Sequence, residues 1–269
     1  MRERAKELVR SVVPEPMLRA RRSVLRRAHD LRSEWPLRSL QFEHLGTLDF
    51  RARRALVRRV LAVNAGVPCL HTHAQMARII AAIFAVPARQ EGCVVEAGCF
   101  KGGSTAKLSI AAQAAGRKLV VFDSFEGMPE HSEPEQRTIF RHTRARFPKG
   151  FYAGQLDEVR ENVRRYGELG ACEFVKGWFD ETMPHFHEPV VVGFLDVDLA
   201  ASTRTCLRYL YPRLVPGGVL FSHDGHIPLC VDVLRDEAMW ESIGGPRPAL
   251  DGLGTRLLVA IGKPAAQDA

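Results

Sequence analysis

From residue 93 onward the chain alternates short, almost unbroken apolar runs with helix-patterned segments, and few folds accept that alternation. The runs are "CVVEAG" (93–98), "KLVVFDS" (118–124), "CEFVKG" (172–177), "VVVGFLDVD" (190–198), "GGVLFSHD" (217–224) and "TRLLVAIGK" (255–263). Strands that are hydrophobic along their whole length belong in a sheet covered on both faces. Helical segments between them are the crossovers of a parallel sheet. The expected architecture is therefore α/β and Rossmann-like, and 269 residues, 46% of them hydrophobic, suffice for one such core plus an extension.

In parallel sheets ligands bind beyond the carboxyl ends of the strands. The residues ending these runs are Glu96 with Gly98, Asp123, Gly177, Asp196 with Asp198, and His223 with Asp224. The first turn, "EAGCFKGGSTAKLS", has glycines at 98, 102 and 103, which let the backbone bend and approach a ligand, and Ser104 and Thr105, which can cap the next helix. It is not the G-x-G-x-x-G of dinucleotide enzymes, because Phe100 stands at the second glycine. Asp123 ends the second run, where a carboxylate can accept hydrogen bonds from both ribose hydroxyls. Glu96 would repel a pyrophosphate but suits a ligand with an amino group and a sulfonium. S-adenosylmethionine therefore fits better than a nicotinamide dinucleotide.

Six segments, "VVEAGCFKGGST", "VFDSFEGMP", "VKGWFDETMP", "FLDVDLAAST", "LYPRLVPGGVLFSHDG" and "CVDVLRD", resemble in order and spacing the motifs of the macrocin O-methyltransferase family, which includes the mycinamicin and tylosin sugar methyltransferases. The resemblance covers roughly residues 70–262. It implies a class I methyltransferase fold with a mostly parallel seven-stranded sheet, S-adenosylmethionine as cofactor, Mg2+, and a sugar or glycoside hydroxyl as methyl acceptor. It would place the methionine end of the cofactor at Glu96, Gly98, Gly102, Gly103 and Ser104, the ribose at Asp123, and the adenine near Ser124, Phe125, Gly177, Trp178 and Phe179. Asp196, His223 and Asp224 would be the metal ligands and the catalytic groups.

The chain departs from that family where relatives usually carry two adjacent acids, for here His223 precedes Asp224. Ala200 also replaces the aromatic residue common after "DVDL". Mg2+ prefers oxygen ligands. Three readings follow: Mg2+ held by Asp196 and Asp224 alone, a metal such as Mn2+, Fe2+ or Zn2+ that accepts imidazole, or a metal-free site with His223 as base. An imidazole of pKa about 6.5 deprotonating an alcohol near 15.7 faces a deficit of roughly 12 kcal/mol. The metal-free reading therefore calls for a more acidic acceptor or for proton removal concerted with methyl transfer.

Other polar residues have plainer readings. Asp198 serves either the site or the helix beginning near Ala201, Ser202 and Thr203 are first-turn helix residues, and His226 sits in a loop where a solvent-facing histidine is at least as well supported as a ligand. "HTH" (His71, His73) and "HFH" (His185, His187) have ligand-like spacing but no local acid or cysteine set to complete it, so surface or substrate-pocket histidines are expected.

The basic charge is confined to one end. Residues 1–60 hold sixteen Lys/Arg and seven Asp/Glu, a net +9 against +7 for the whole chain. This segment is expected to be a helical extension serving as lid, homo-oligomer contact or partner contact, ahead of a methyltransferase domain at 61–269. Within it "MLRARRSVLRRAHDLRSEW" reads as a basic amphipathic helix. No aromatic residues interleave with its first arginines, so nucleic acid is not the expected partner. The six cysteines form no C-x-x-C pair and read as reduced core thiols. No apolar run approaches the roughly 18–20 residues of a membrane span, and a cytoplasmic protein is expected. A non-catalytic relative that binds a partner or membrane through its basic helices is the alternative.

Overall fold

A computed structural model describes residues 32–265, which leaves most of the basic amphipathic segment outside the described residues. After a helical stretch at 32–39 come helices α1 (Phe50–Val63) and α2 (His73–Ala85). Asp49 caps α1 by accepting from Ala52 N at 2.8 Å, and α2 opens with a reciprocal Thr72/Gln75 capping box. The alternation expected from the sequence then follows. Its elements are β1 (Cys93–Ala97), α3 (Gly103–Ala114), β2 (Leu119–Asp123), a short hairpin of β3 (Gln136–Arg137) and β4 (Arg144–Ala145), and α4 (Leu156–Tyr166). Next come β5 (Cys172–Lys176), a single turn α5 (Phe179–Thr182), β6 (Val190–Leu195), α6 (Ala200–Leu210), β7 (Leu214–Ser222), α7 (Pro228–Arg235), α8 (Glu237–Ser242), β8 (Leu250–Asp251) and β9 (Val259–Gly262).

Seven strands form one sheet in the order β5-β2-β1-β6-β7-β9-β8. The first five run parallel, and β9 is antiparallel to both β7 and β8. Connections leave β1 in one direction and β6 in the other, so a topological switch point lies between them. All five residues of β1 are buried because each face has its own apolar layer. Val94 packs with α1, α2 and α3 through residues such as Val60, Ile80 and Leu108, while Cys93, Val95 and Ala97 pack with Leu207, Leu234 and Trp240 opposite.

The boundary expected between residues 60 and 61 falls inside α1, whose Leu56, Val57, Val60 and Val63 share the core cluster of Val94. Leu37, Leu40 and Leu45 join the same cluster, so the described part of the N-terminal segment is built into this core. Among the described residues no helix is long and apolar enough to cross a membrane.

The expected runs were too long at the ends that matter most. β6 stops at Leu195, which puts Asp196 and Asp198 in a loop, and β7 stops at Ser222, just before His223. The hairpin β3/β4 and the edge strand β8 had no sequence signal, since two-residue strands cannot display a period.

The segment between β2 and α4 is fastened to the sheet's ligand edge. Glu133 accepts from Ala200 N at 3.1 Å and Ala201 N at 3.0 Å, capping α6 from another part of the chain, and Ile139 N donates to His226 O at 2.8 Å. Glu133→Ala is expected to cost about 1 kcal/mol, the usual value of a lost cap. It should also speed amide exchange across 129–147, followed by mass spectrometry. Unchanged exchange there would mean that the cap does not hold the segment.

Candidate active site

One cavity of about 470 Å³ opens at the carboxyl ends of the parallel strands, and it has two chemically different halves. Gly98, Gly103, Ser104, Asp123, Ser124, Gly177, Trp178 and Phe179 line the first half. His71, Asp196, Asp198, His223 and His226 belong to the second.

In the first half, Asp123 ends β2 with both carboxylate oxygens engaged: Oδ2 accepts from Cys99 N and Oδ1 from Phe125 N, each at 2.7 Å. The glycine-rich turn is thereby tied to the end of the neighbouring strand. Burial raises the Asp123 pKa against the lowering effect of those amides. Gly98, at φ +84°, crosses the end of β6 so closely that a Cβ there would lie 2.1 Å from Asp196 O. The two halves of the cavity therefore meet backbone to backbone, and no side chain is tolerated at the junction.

Four residues expected at the site are not on the cavity wall. The Phe125 ring lies in the core 6.3 Å from that of Phe174, because its backbone turns at φ +58°. Gly102 is the left-handed cap of α3. Glu96 is wholly buried, and neither of its oxygens makes a hydrogen bond of normal geometry. Burial pushes its pKa up to about 7, although the adjoining Ser104 and Thr105 hydroxyls act the other way. Asp224 is also wholly buried, with Oδ2 accepting from Val197 N and Asp198 N at 3.1 Å and Oδ1 unpartnered. Burial and the charge of Asp196 hold it at about 7. Asp224 thus braces, from behind, the turn that presents Asp198.

The second half centres on Asp196. His71 Nε2 donates to its Oδ2 at 2.8 Å and His223 Nδ1 to its Oδ1 at 3.0 Å. Burial alone would raise the carboxyl, but the two imidazoles hold it far below the usual carboxylate range. Burial would likewise lower His71, yet Asp196 carries it up to about 10. Behind His71, Cys69 Sγ lies 3.5 Å from Nδ1. Burial would raise this thiol, but the His71 hydrogen bond and the Lys107 charge bring it down to about 7. Asp198, at φ +59°, does not cap α6, since Glu133 has taken that place. Burial and then the charges of Asp224 and Asp196 raise Asp198 well above an ordinary carboxylate.

Two histidines take the pocket-side alternative of their expected readings. His71 is no surface residue, for its side chain is only 6% exposed and it joins an acid 125 residues away. Its signal was the "CLHTH" segment leading into α2, but nothing local in sequence pointed to Asp196. His226 is half-buried against the cavity instead of facing solvent, because the hairpin segment folds over it.

Comparison with known proteins bears on the family and the fold. The chain is 37% identical over 168 residues to the 8-demethyl-8-(2,3-dimethoxy-alpha-L-rhamnosyl)-tetracenomycin-C 4'-O-methyltransferase of Streptomyces olivaceus, a match covering 61% of the chain and 64% of that protein. It is 31% identical over 156 residues to the mycinamicin III 3''-O-methyltransferase of Micromonospora griseorubida, covering 54% and 59%. The matched part of the chain therefore spans about three fifths of these relatives' lengths. Among solved structures, the O-methyltransferase NovP superposes with a TM-score of 0.61 at 21% identity, over 87% of this chain and 99% of that one. The calicheamicin methyltransferase CalS11 gives 0.55 at 16%, over 82% and 96%. These likenesses show that the fold is that of class I methyltransferases. The sequence profile of the family described as "Macrocin-O-methyltransferase (TylF)" matches residues 70–255, more than two thirds of the chain. On that match, the chain belongs to the macrocin O-methyltransferase family.

Proposed function

We propose that this protein transfers a methyl group from S-adenosylmethionine to a hydroxyl of a sugar or sugar-bearing natural product. The observation that carries this reading is the single cavity in which a ribose-type acid, Asp123, and an acid–imidazole cluster around Asp196 face each other across the switch point. The cofactor fits the first half: Asp123 would meet the ribose, Trp178 and Phe179 offer flat walls for the adenine, and Glu96, buried behind the glycine-rich turn, sets a carboxylate beneath the cationic methionine end. When bound, S-adenosylmethionine supplies a methyl group activated on sulfonium. The names of the relatives, which act on rhamnosyl, mycinamicin and novobiocin compounds, support a glycosidic acceptor.

The chain's own residues divide the work. His71 and His223 fix the Asp196 carboxylate, so that it orients the acceptor. Asp198, raised and on the cavity wall, takes the hydroxyl proton. Asp224 positions it by holding the 197–198 amides. The segment pinned by Glu133 covers the acceptor side and limits water.

Mg2+, which the family resemblance implies, fits these donors poorly. Asp196, Asp198 and Asp224 bring oxygens within 4.8 Å of one another, yet Asp224 is closed off behind the turn and the groups that face Asp196 are two imidazole nitrogens, not oxygens. An ion that demands near-octahedral oxygen ligands and keeps several waters has little room there.

Calorimetric titration is expected to show S-adenosylhomocysteine binding, with Asp123→Ala weakening it by about tenfold or more through the lost hydrogen bonds. Cofactor-product release against a panel of glycosides should identify the acceptor. Failure of the protein to bind either S-adenosylmethionine or its demethylated product would sink the reading.

A further inference from the structure

We propose that His71, Asp196 and His223 form a binding site for a first-row transition-metal dication that accepts imidazole, such as Zn2+, Co2+ or Mn2+. This site would replace an all-oxygen magnesium site. It rests on the methyl-transfer reading only for its consequence, a Lewis acid beside the acceptor oxygen.

The donor atoms already stand close to ligating positions. His71 Nε2 is 2.8 Å from Asp196 Oδ2, His223 Nδ1 is 3.0 Å from Oδ1, and one donor atom from each residue lies within 4.8 Å of the other two. Around a metal bound at about 2.0–2.2 Å, neighbouring donors sit roughly 3.0–3.5 Å apart. Small side-chain adjustments would therefore exchange the ring N–H bonds to Asp196 for metal bonds, with release of the ring protons.

The His71 ring is also set from outside. His71 presents Nε2 inward because Nδ1 meets Cys69 Sγ at 3.5 Å, and its ring packs edge-on against Phe194 at 4.9 Å. The main chain at His223 is held by its amide, which donates to Leu195 O at 2.8 Å, and its ring packs edge-on at 81° to that of His71. An outer partner that fixes tautomer and ring orientation is the usual support of a ligating histidine. All three residues line the cavity, so the side away from the protein is open to water or to an acceptor oxygen. Two imidazoles, one carboxylate and open positions suit borderline metals and not Mg2+.

The test uses the full-length protein stripped of metal and titrated with CoCl2 near neutral pH. Visible d–d absorption reports Co2+, Zn2+ serves as competitor, Mg2+ is titrated in parallel by calorimetry, and S-adenosylhomocysteine binding is measured on every sample. One equivalent of Co2+ should give ligand-field bands that Zn2+ abolishes and a large excess of Mg2+ does not. His71→Ala should weaken Co2+ by at least about tenfold and leave S-adenosylhomocysteine affinity within about twofold, the latter also reporting that the variant is folded. His223→Asp should shift preference toward Mg2+. Absent Co2+ bands, bands unchanged by both variants, or tighter binding of Mg2+ than of Zn2+ would each overturn the site. S-adenosylhomocysteine binding without Co2+ binding removes the metal site alone. Co2+ binding that needs His71, without cofactor binding, supports the metal site and removes the methyl-transfer reading.

Discussion

Glu96→Gln is expected to stabilise the ligand-free protein near pH 8 and to erase the pH dependence of S-adenosylhomocysteine binding. Burial holds the Glu96 carboxyl at about 7, against 4.5 in the unfolded chain. An acid raised by folding stabilises the fold while it is protonated. Its contribution is complete below about pH 4.5, fades as pH rises through 7, and above that the buried charge costs roughly 3 kcal/mol at 1.4 kcal/mol per pKa unit. Asp224, also held at about 7, acts in the same window, and His71, raised to about 10, extends the loss into alkali. Thermal unfolding of the wild type should therefore come at lower temperature near pH 8 than near pH 5, and the glutamine variant should lose less. Binding runs the other way, because the cationic end of the ligand favours a charged Glu96. Wild-type affinity should rise by up to about tenfold per pH unit below 7 and level off above it. The variant should bind with a flat profile, about 10-fold more weakly near pH 8, the worth of a buried charge acting from close behind the binding surface. A variant that binds as tightly as wild type with the same profile would remove Glu96 from the cofactor site.

The legible part of this protein is the part written in contiguous residues. "CVVEAG" and "KLVVFDS" identify central strands because burial on both faces demands unbroken apolar runs, and the polar residues at their ends, such as Asp123, fall where such sheets bind ligands. What was not legible depends on distance along the chain. Nothing in "CLHTH" indicates that His71 meets Asp196, since the pairing is made by the way the segment before α2 crosses the sheet edge. Nothing in "EHSEPEQ" indicates that Glu133 caps a helix 67 residues onward, which leaves Asp198 free for other work. The direction of the Asp224 side chain was likewise out of reach, because β7 ends at Ser222, two residues before the end of the expected run, and Asp224 turns inward. A run of hydrophobic letters says which strand a residue ends, but not which of two adjacent residues faces the ligand.

That last distinction decides where the proton goes, and Asp198→Asn is expected to give the largest loss of turnover, about 10²- to 10⁴-fold in kcat. An alcohol ionises near 15.7, and a carboxylate at an ordinary value near 4 would face a deficit of roughly 16 kcal/mol. Burial, with Asp224 and Asp196 adding their charges, raises Asp198 and shrinks that deficit by about 1.4 kcal/mol per unit. Asp196 is pushed the opposite way by its two imidazoles, so it is the poorer base of the pair and the better anchor. The two acids of "DVD" are thus separated in role by their surroundings. Asparagine preserves the test, because it tolerates the left-handed φ of +59° at this position and keeps the shape of the side chain while removing its basicity. S-adenosylhomocysteine affinity should stay within about twofold, since Asp198 lies in the acceptor half of the cavity. At saturating cofactor, kcat/KM of the wild type should rise with pH through the raised pKa of this base, and the residual activity of the variant should lose that limb. If the variant keeps a third or more of wild-type turnover, the proton leaves by another route. The imidazole of His223, on the same wall and already in contact with Asp196, would then be the base to replace next.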